Sequence, residues 1–69
     1  MGEHYYINKN AQPNGEREVH KDGCVYLPDI INRQYWGIFD NCKEALQEAK
    51  RYYSNVDGCY YCVPACHKK

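Results

Sequence analysis

The sequence predicts a small α+β domain: a three-stranded antiparallel sheet with one main helix packed on it and a C-terminal cysteine-rich knuckle. Three observations carry this reading. Strand-like stretches flank a Pro13-Asn14-Gly15 turn signal, an amphipathic helical stretch follows Asn41, and Cys59, Cys62 and Cys66 crowd the chain's end. The 69 residues read as a single domain, 1–69, with no internal repeat, low-complexity tract or linker. A chain of this size buries only about 60% of the surface it exposes when unfolded. Its apolar supply is weighted to aromatic rings and cysteine, with eight tyrosines against two leucines. Small scaffolds of this kind are commonly reinforced by a metal or by disulfides.

Residues 5–11 (YYINKNA) begin with strand formers, and Asn14-Gly15 supplies the positive φ angles of a tight hairpin. A second strand is expected from Glu16 to Lys21. Its alternation sends Arg17, Val19 and Lys21 to one side and Glu16, Glu18 and His20 to the other. Asp22-Gly23-Cys24 is a turn signal, and Val25-Tyr26-Leu27 before Pro28 reads as a helical turn or an irregular connector. Residues 34–39 (QYWGIF) read as a third strand, in which Gly37 marks a bulge or a close backbone approach. Asn41 with Glu44 three residues on fits a capping box. Ala45, Leu46, Ala49, Tyr52 and Tyr53 then recur at helical spacing as one stripe to be buried on the sheet. Residues 54–58 are expected to end the helix.

Nine basic and nine acidic side chains cancel. A neutral chain lacks the positive field that drives non-specific nucleic-acid binding, and Lys68 and Lys69 read as a solvated tail. The first residues lack the basic and apolar regions of an export signal, and no stretch is long and apolar enough to cross a bilayer. The expected compartment is the cytoplasm, where clustered cysteines are more often metal ligands or redox groups than disulfides.

Cys59 and Cys62 form a C-x2-C, a spacing at which one turn directs two thiolates to a tetrahedral ion. Alone it also fits redox chemistry. A second half-site lies upstream in HKDGC, where His20 at a strand end and Cys24 just past a glycine turn are placed to converge on the same ion. His20, Cys24, Cys59 and Cys62 therefore make up the expected metal site, and a closed N/S set of four is that of structural zinc. Cys66 and His67 compete for the fourth place. Cys42, at the first helical position and on the side of the apolar stripe, reads as a buried, inert core cysteine, with pairing to Cys66 as the other reading. A thioredoxin-like role for Cys59-Tyr60-Tyr61-Cys62 is disfavoured because the motif follows the helix instead of opening it.

The order HKDGC, NCKEALQEAKRYY, GCYYCVP resembles the zinc-binding domain at the N-terminus of the Ada DNA-repair protein and the small bacterial metal-binding modules related to it. The resemblance spans residues 4 to 66 and implies that domain's fold and a zinc site. In Ada four cysteines hold the metal, and the first accepts a methyl group from a DNA phosphotriester. The matching positions here are His20, Cys24, Cys59 and Cys62. An imidazole stands where Ada has its reactive thiolate, so the resemblance carries the fold and the metal and not the repair activity.

No carboxylate pair, serine–histidine arrangement or phosphate-binding loop is visible, so hydrolytic and nucleotide chemistry have no apparatus. The expected function is that of a monomeric structural-zinc module that binds a protein partner, without catalysis and without a membrane. Nucleic acid is the alternative partner, through exposed tyrosines that stack on single-stranded bases. The ordinary role for those rings is to fill the core and rim. A zinc-thiolate alkyl acceptor using Cys24, Cys59 or Cys62 is the remaining alternative.

Overall fold

The computed structural model describes residues 2–11 and 15–67. Its strands are β1 (Glu3–Asn8), β2 (Arg17–Lys21), β3 (Arg33–Phe39) and β4 (Val56–Gly58), with one helix, α1 (Cys42–Lys50), and short 3-10 turns at Ile30–Asn32 and Pro64–Cys66. The four strands form one sheet in the order β3-β1-β2-β4. β1 pairs antiparallel with both β2 and β3, whereas β2 pairs parallel with β4. The sheet is thus mixed and four-stranded, not the three-stranded antiparallel sheet expected. The extra strand comes from the segment assigned to the end of the helix. Val-Asp-Gly has little strand propensity of its own and becomes a strand by pairing Arg17 with Val56, Glu18 with Asp57 and Val19 with Gly58.

The β1–β2 register matches Tyr5 with Lys21, Tyr6 with His20 and Ile7 with Val19. Of the turn that joins these strands, Pro13 and Asn14 lie outside the described residues, and Gly15 has a φ of 89°. In the β1–β3 register Tyr5 faces Gly37 and Tyr6 faces Tyr35, which leaves Trp36 as the extra residue of a bulge. Gly37 takes a φ of 134°, a backbone angle that L side chains rarely adopt. This is the bulge that the glycine in QYWGIF marks.

Asn41 caps α1, its side-chain oxygen accepting a hydrogen bond from the Glu44 amide at 3.0 Å. Ala45, Leu46 and Ala49 are buried against Tyr5, Ile7 and Val19 of the sheet, and Cys59, Val63 and Cys66 close the core from the C-terminal side. The apolar stripe stops there. The helix ends at Lys50, so Tyr52 lies past it and is 66% exposed, and Tyr53 is only half-buried. Tyr5 is the one tyrosine among the buried core residues; Tyr26, Tyr35, Tyr52, Tyr60 and Tyr61 are exposed. Among the described residues no helix is long and apolar enough to cross a membrane.

Cys42 is not an inert core thiol. It is half-buried and disulfide-bonded to Cys66, with Cα atoms 6.2 Å apart and a sequence separation of 24. The bond pins the turn at Pro64–Cys66 to the start of α1. Closing a loop of this length restricts the unfolded chain and stabilises a fold by roughly 3 kcal/mol.

Gly58 is where the C-terminal segment folds back closest to the sheet. A Cβ built there would lie 2.8 Å from Val63 Cγ2, 3.0 Å from the Val63 carbonyl oxygen and 3.1 Å from the Cys66 carbonyl carbon. Two of these three atoms are backbone, so the clash is not relieved by a rotamer change. Gly58→Ala is expected to destabilise the protein by about 1–3 kcal/mol, the usual cost of overpacking. Urea unfolding checks this, and an unchanged midpoint would mean that the 63–66 segment moves aside freely.

Candidate metal centre

The site is built where β2 and β4 end. The parallel pairing of Val19 with Gly58 places the next residue of each strand, His20 and Cys59, side by side, and the Cys59 amide donates to the Val19 carbonyl at 2.9 Å. The turn after β2 is closed by the Cys24 amide donating to the Lys21 carbonyl at 3.2 Å. Gly23, with a φ of 86°, makes the sharp reversal that brings Cys24 back over the strand end. The second turn closes in the same manner, the Val63 amide donating to the Cys59 carbonyl at 2.9 Å, and it presents Cys62 beside Cys59.

The ligand atoms of His20, Cys24, Cys59 and Cys62 all lie within 4.8 Å of one another. His20 Nδ1 is 3.7 Å from Cys24 Sγ and 3.8 Å from Cys62 Sγ, and the Cys24 and Cys59 sulfurs are 3.9 Å apart. Around an ion with metal–sulfur bonds of about 2.3 Å, tetrahedral geometry puts neighbouring sulfurs about 3.8 Å apart. The donors therefore fit a single tetrahedral ion with small adjustments. One imidazole and three thiols form a soft N/S set, the type that holds zinc and other thiophilic metals.

Surrounding groups favour ligation. His20 is 1% exposed and turns Nε2 toward Glu18, 3.5 Å from Oε1, which leaves Nδ1 facing the sulfurs. A carboxylate behind a ligand imidazole fixes its tautomer and orientation. Burial lowers the imidazole pKa, with Glu18 pulling the other way, so the ring is held in the neutral form that ligates. The Lys21 amide donates to Cys62 Sγ at 3.3 Å, a bond that favours the thiolate. Burial, reinforced by the neighbouring Cys24 and Cys59, nonetheless pushes the Cys62 thiol well above its ordinary range. A bound metal reverses that balance by supplying the opposing charge.

Thus the four residues expected from HKDGC and GCYYC are brought together. The two competing donors are engaged elsewhere: Cys66 is bonded to Cys42, and His67 Nδ1 lies 2.9 Å from the Gly58 carbonyl oxygen and 3.2 Å from Asp57 Oδ2. Glu18 was not singled out as a supporting residue, although the period-two alternation put it on the face of His20. The rings of Tyr26 and Tyr61 stack at 4.2 Å between centroids, joining the two half-sites on the outside.

Comparison with protein-family models, curated proteins and solved structures found no match. Nothing in those comparisons identifies an Ada-like domain.

Two outcomes are expected. Glu18→Gln should keep the fold and weaken metal retention by about tenfold or more in a chelator competition, the usual effect of losing a group that orients a ligand. Equal retention would mean that Glu18 does not orient His20. Because burial keeps the Cys62 thiol protonated, loading must expel its proton, and apparent affinity should rise as pH is raised from about 6 to about 8. Calorimetry in buffers of different ionisation enthalpy counts the released protons, and a count of zero would contradict the assignment.

Proposed function

We propose that this protein is a structural-zinc module that acts as an interaction domain, with no catalytic activity of its own. The observation that carries the reading is the convergence of His20, Cys24, Cys59 and Cys62 from two distant turns on one point. A closed set of four N/S ligands leaves no open position for a substrate, the arrangement of structural sites. An ion there would tie the end of β2 to the segment that follows β4. Because the unfolded chain has no such site, its binding free energy would add directly to folding.

The partner favoured by this reading is another protein, met by the monomer through the exposed residues of the two turns, Val25, Tyr26, Tyr60 and Tyr61. Aromatic side chains of this kind supply contact area at low entropic cost. Two observations weigh against single-stranded nucleic acid at the same surface. Tyr26 and Tyr61 stack on each other, so their facing surfaces are not open to a base, and the chain carries no net charge. Of the three thiols that the alkyl-acceptor reading would use, Cys59 is buried and Cys24 and Cys62 are half-buried.

Elemental analysis of purified protein, with a thiol count in denaturant, tests the proposal. The expected result is one zinc per chain, thiols from Cys24, Cys59 and Cys62, and a lowered unfolding midpoint in a strong chelator. Substoichiometric metal, no uptake of added zinc and an unaltered midpoint would together refute it.

A further inference from the structure

A second constellation lies away from the sulfur cluster, between β3 and the end of α1. Gln34, Tyr35, Trp36, Glu48, Tyr52 and Tyr53 line a cavity of about 350 Å³, within the size range of small-ligand sites. Trp36 and Tyr52 stand perpendicular, at 87° with centroids 5.7 Å apart, and Tyr53 inclines to Trp36 at 44° and 6.2 Å. The walls are anchored. The bulge sets Trp36 apart from the regular β1–β3 register, its indole N–H donates to the Ala45 carbonyl at 3.2 Å, and Tyr53 Oη donates to Gln34 Oε1 at 3.1 Å. With its N–H turned to the helix backbone, the indole leaves ring surface for the cavity.

From this we infer that the cavity binds a small molecule through a quaternary ammonium group. Ring faces carry negative potential and attract cations, Trp most strongly. The charged lining residue is an acid, Glu48, and none of the lining residues is basic. Glu48 contacts Arg51 at 3.3 Å, but the Arg51 side chain is 71% exposed, so this pair is screened by solvent and readily shared with another cation. One face of Tyr53 is taken by the Arg17 guanidinium, 4.7 Å from its ring centroid, so Trp36 and Tyr52 are the rings left to a ligand cation. An alkylated ammonium suits the site better than a bare one. It surrenders little hydration on entering a ring-lined space, whereas a primary ammonium loses strong hydrogen bonds to water.

This inference is independent of the metal reading. Trp36 is the chain's single tryptophan, so its fluorescence reports on the cavity directly. Titration with choline should give a saturable change, matched by saturation transfer to the choline methyl protons. The neutral carbon isostere 3,3-dimethylbutan-1-ol should bind about tenfold more weakly or worse, because it keeps the shape and lacks the charge. Tyr52→Leu, at an exposed position, should weaken choline binding about fivefold by removing one ring, with the circular dichroism unchanged. Absence of both the fluorescence and the saturation-transfer response would overturn the inference, as would equal binding of the isostere. A trimethyllysine peptide that binds about tenfold more tightly than choline would overturn the small-molecule assignment.

Discussion

The parallel pairing of β2 with β4 is the contact on which the rest of the molecule depends. It involves only Arg17–Val56, Glu18–Asp57 and Val19–Gly58. Yet it fixes the register of everything after the helix. Because His20 and Cys59 each follow the last pair, the register sets an imidazole beside a thiol, and the two turns beyond them, the first opened by Gly23, add Cys24 and Cys62. A slip of one residue would send these side chains to opposite faces of the sheet. The closeness of Gly58 to Val63 and Cys66 is the complementary restraint, since it lets the final turn lie against the strand from which it emerged.

Among the described residues nine buried hydrophobic side chains form the core, two of them the helix alanines Ala45 and Ala49 and two more the cysteines Cys59 and Cys66. Such a core gives little margin, and the cysteines supplement it in two separate ways. Cys42 and Cys66 join the helix start to the chain's end covalently, while Cys24, Cys59 and Cys62 stay as thiols around His20. The division follows position. The paired cysteines meet at the foot of the helix, and the free ones meet at the edge of the sheet, where a metal would neutralise them. A disulfide is the bonding that oxidising surroundings favour, so it lends no support to the reducing compartment expected from the sequence.

The helix was legible because its signals are local: Asn41 as the cap and Ala45, Leu46 and Ala49 at helical spacing. The bulge was legible from Gly37 inside a strand of aromatic residues. The four donors were legible because metal-ligand spacings are short-range patterns, with three residues between His20 and Cys24 and two between Cys59 and Cys62. What escaped was non-local. β4 consists of Val, Asp and Gly, and nothing in that tripeptide announces a strand before its partner is in place. The Cys42–Cys66 bond was the second reading of Cys42, and choosing it over a buried thiol needs the fold-back past Gly58 that helical periodicity does not reveal; the same periodicity overextended the buried stripe to Tyr52. Glu18 was placed on the right face by alternation, but its role appears only once His20 is seen between it and the sulfurs.

The central claim is that one imidazole and three thiolates share one ion. X-ray absorption at the zinc edge of the loaded protein tests it most directly, because the technique counts nitrogen and sulfur neighbours around the metal. Three sulfurs at about 2.3 Å and one nitrogen at about 2.0 Å are expected. Four sulfurs would contradict it by showing that His20 is not a ligand and that Cys66 has left its disulfide. A shell dominated by oxygen would contradict it altogether.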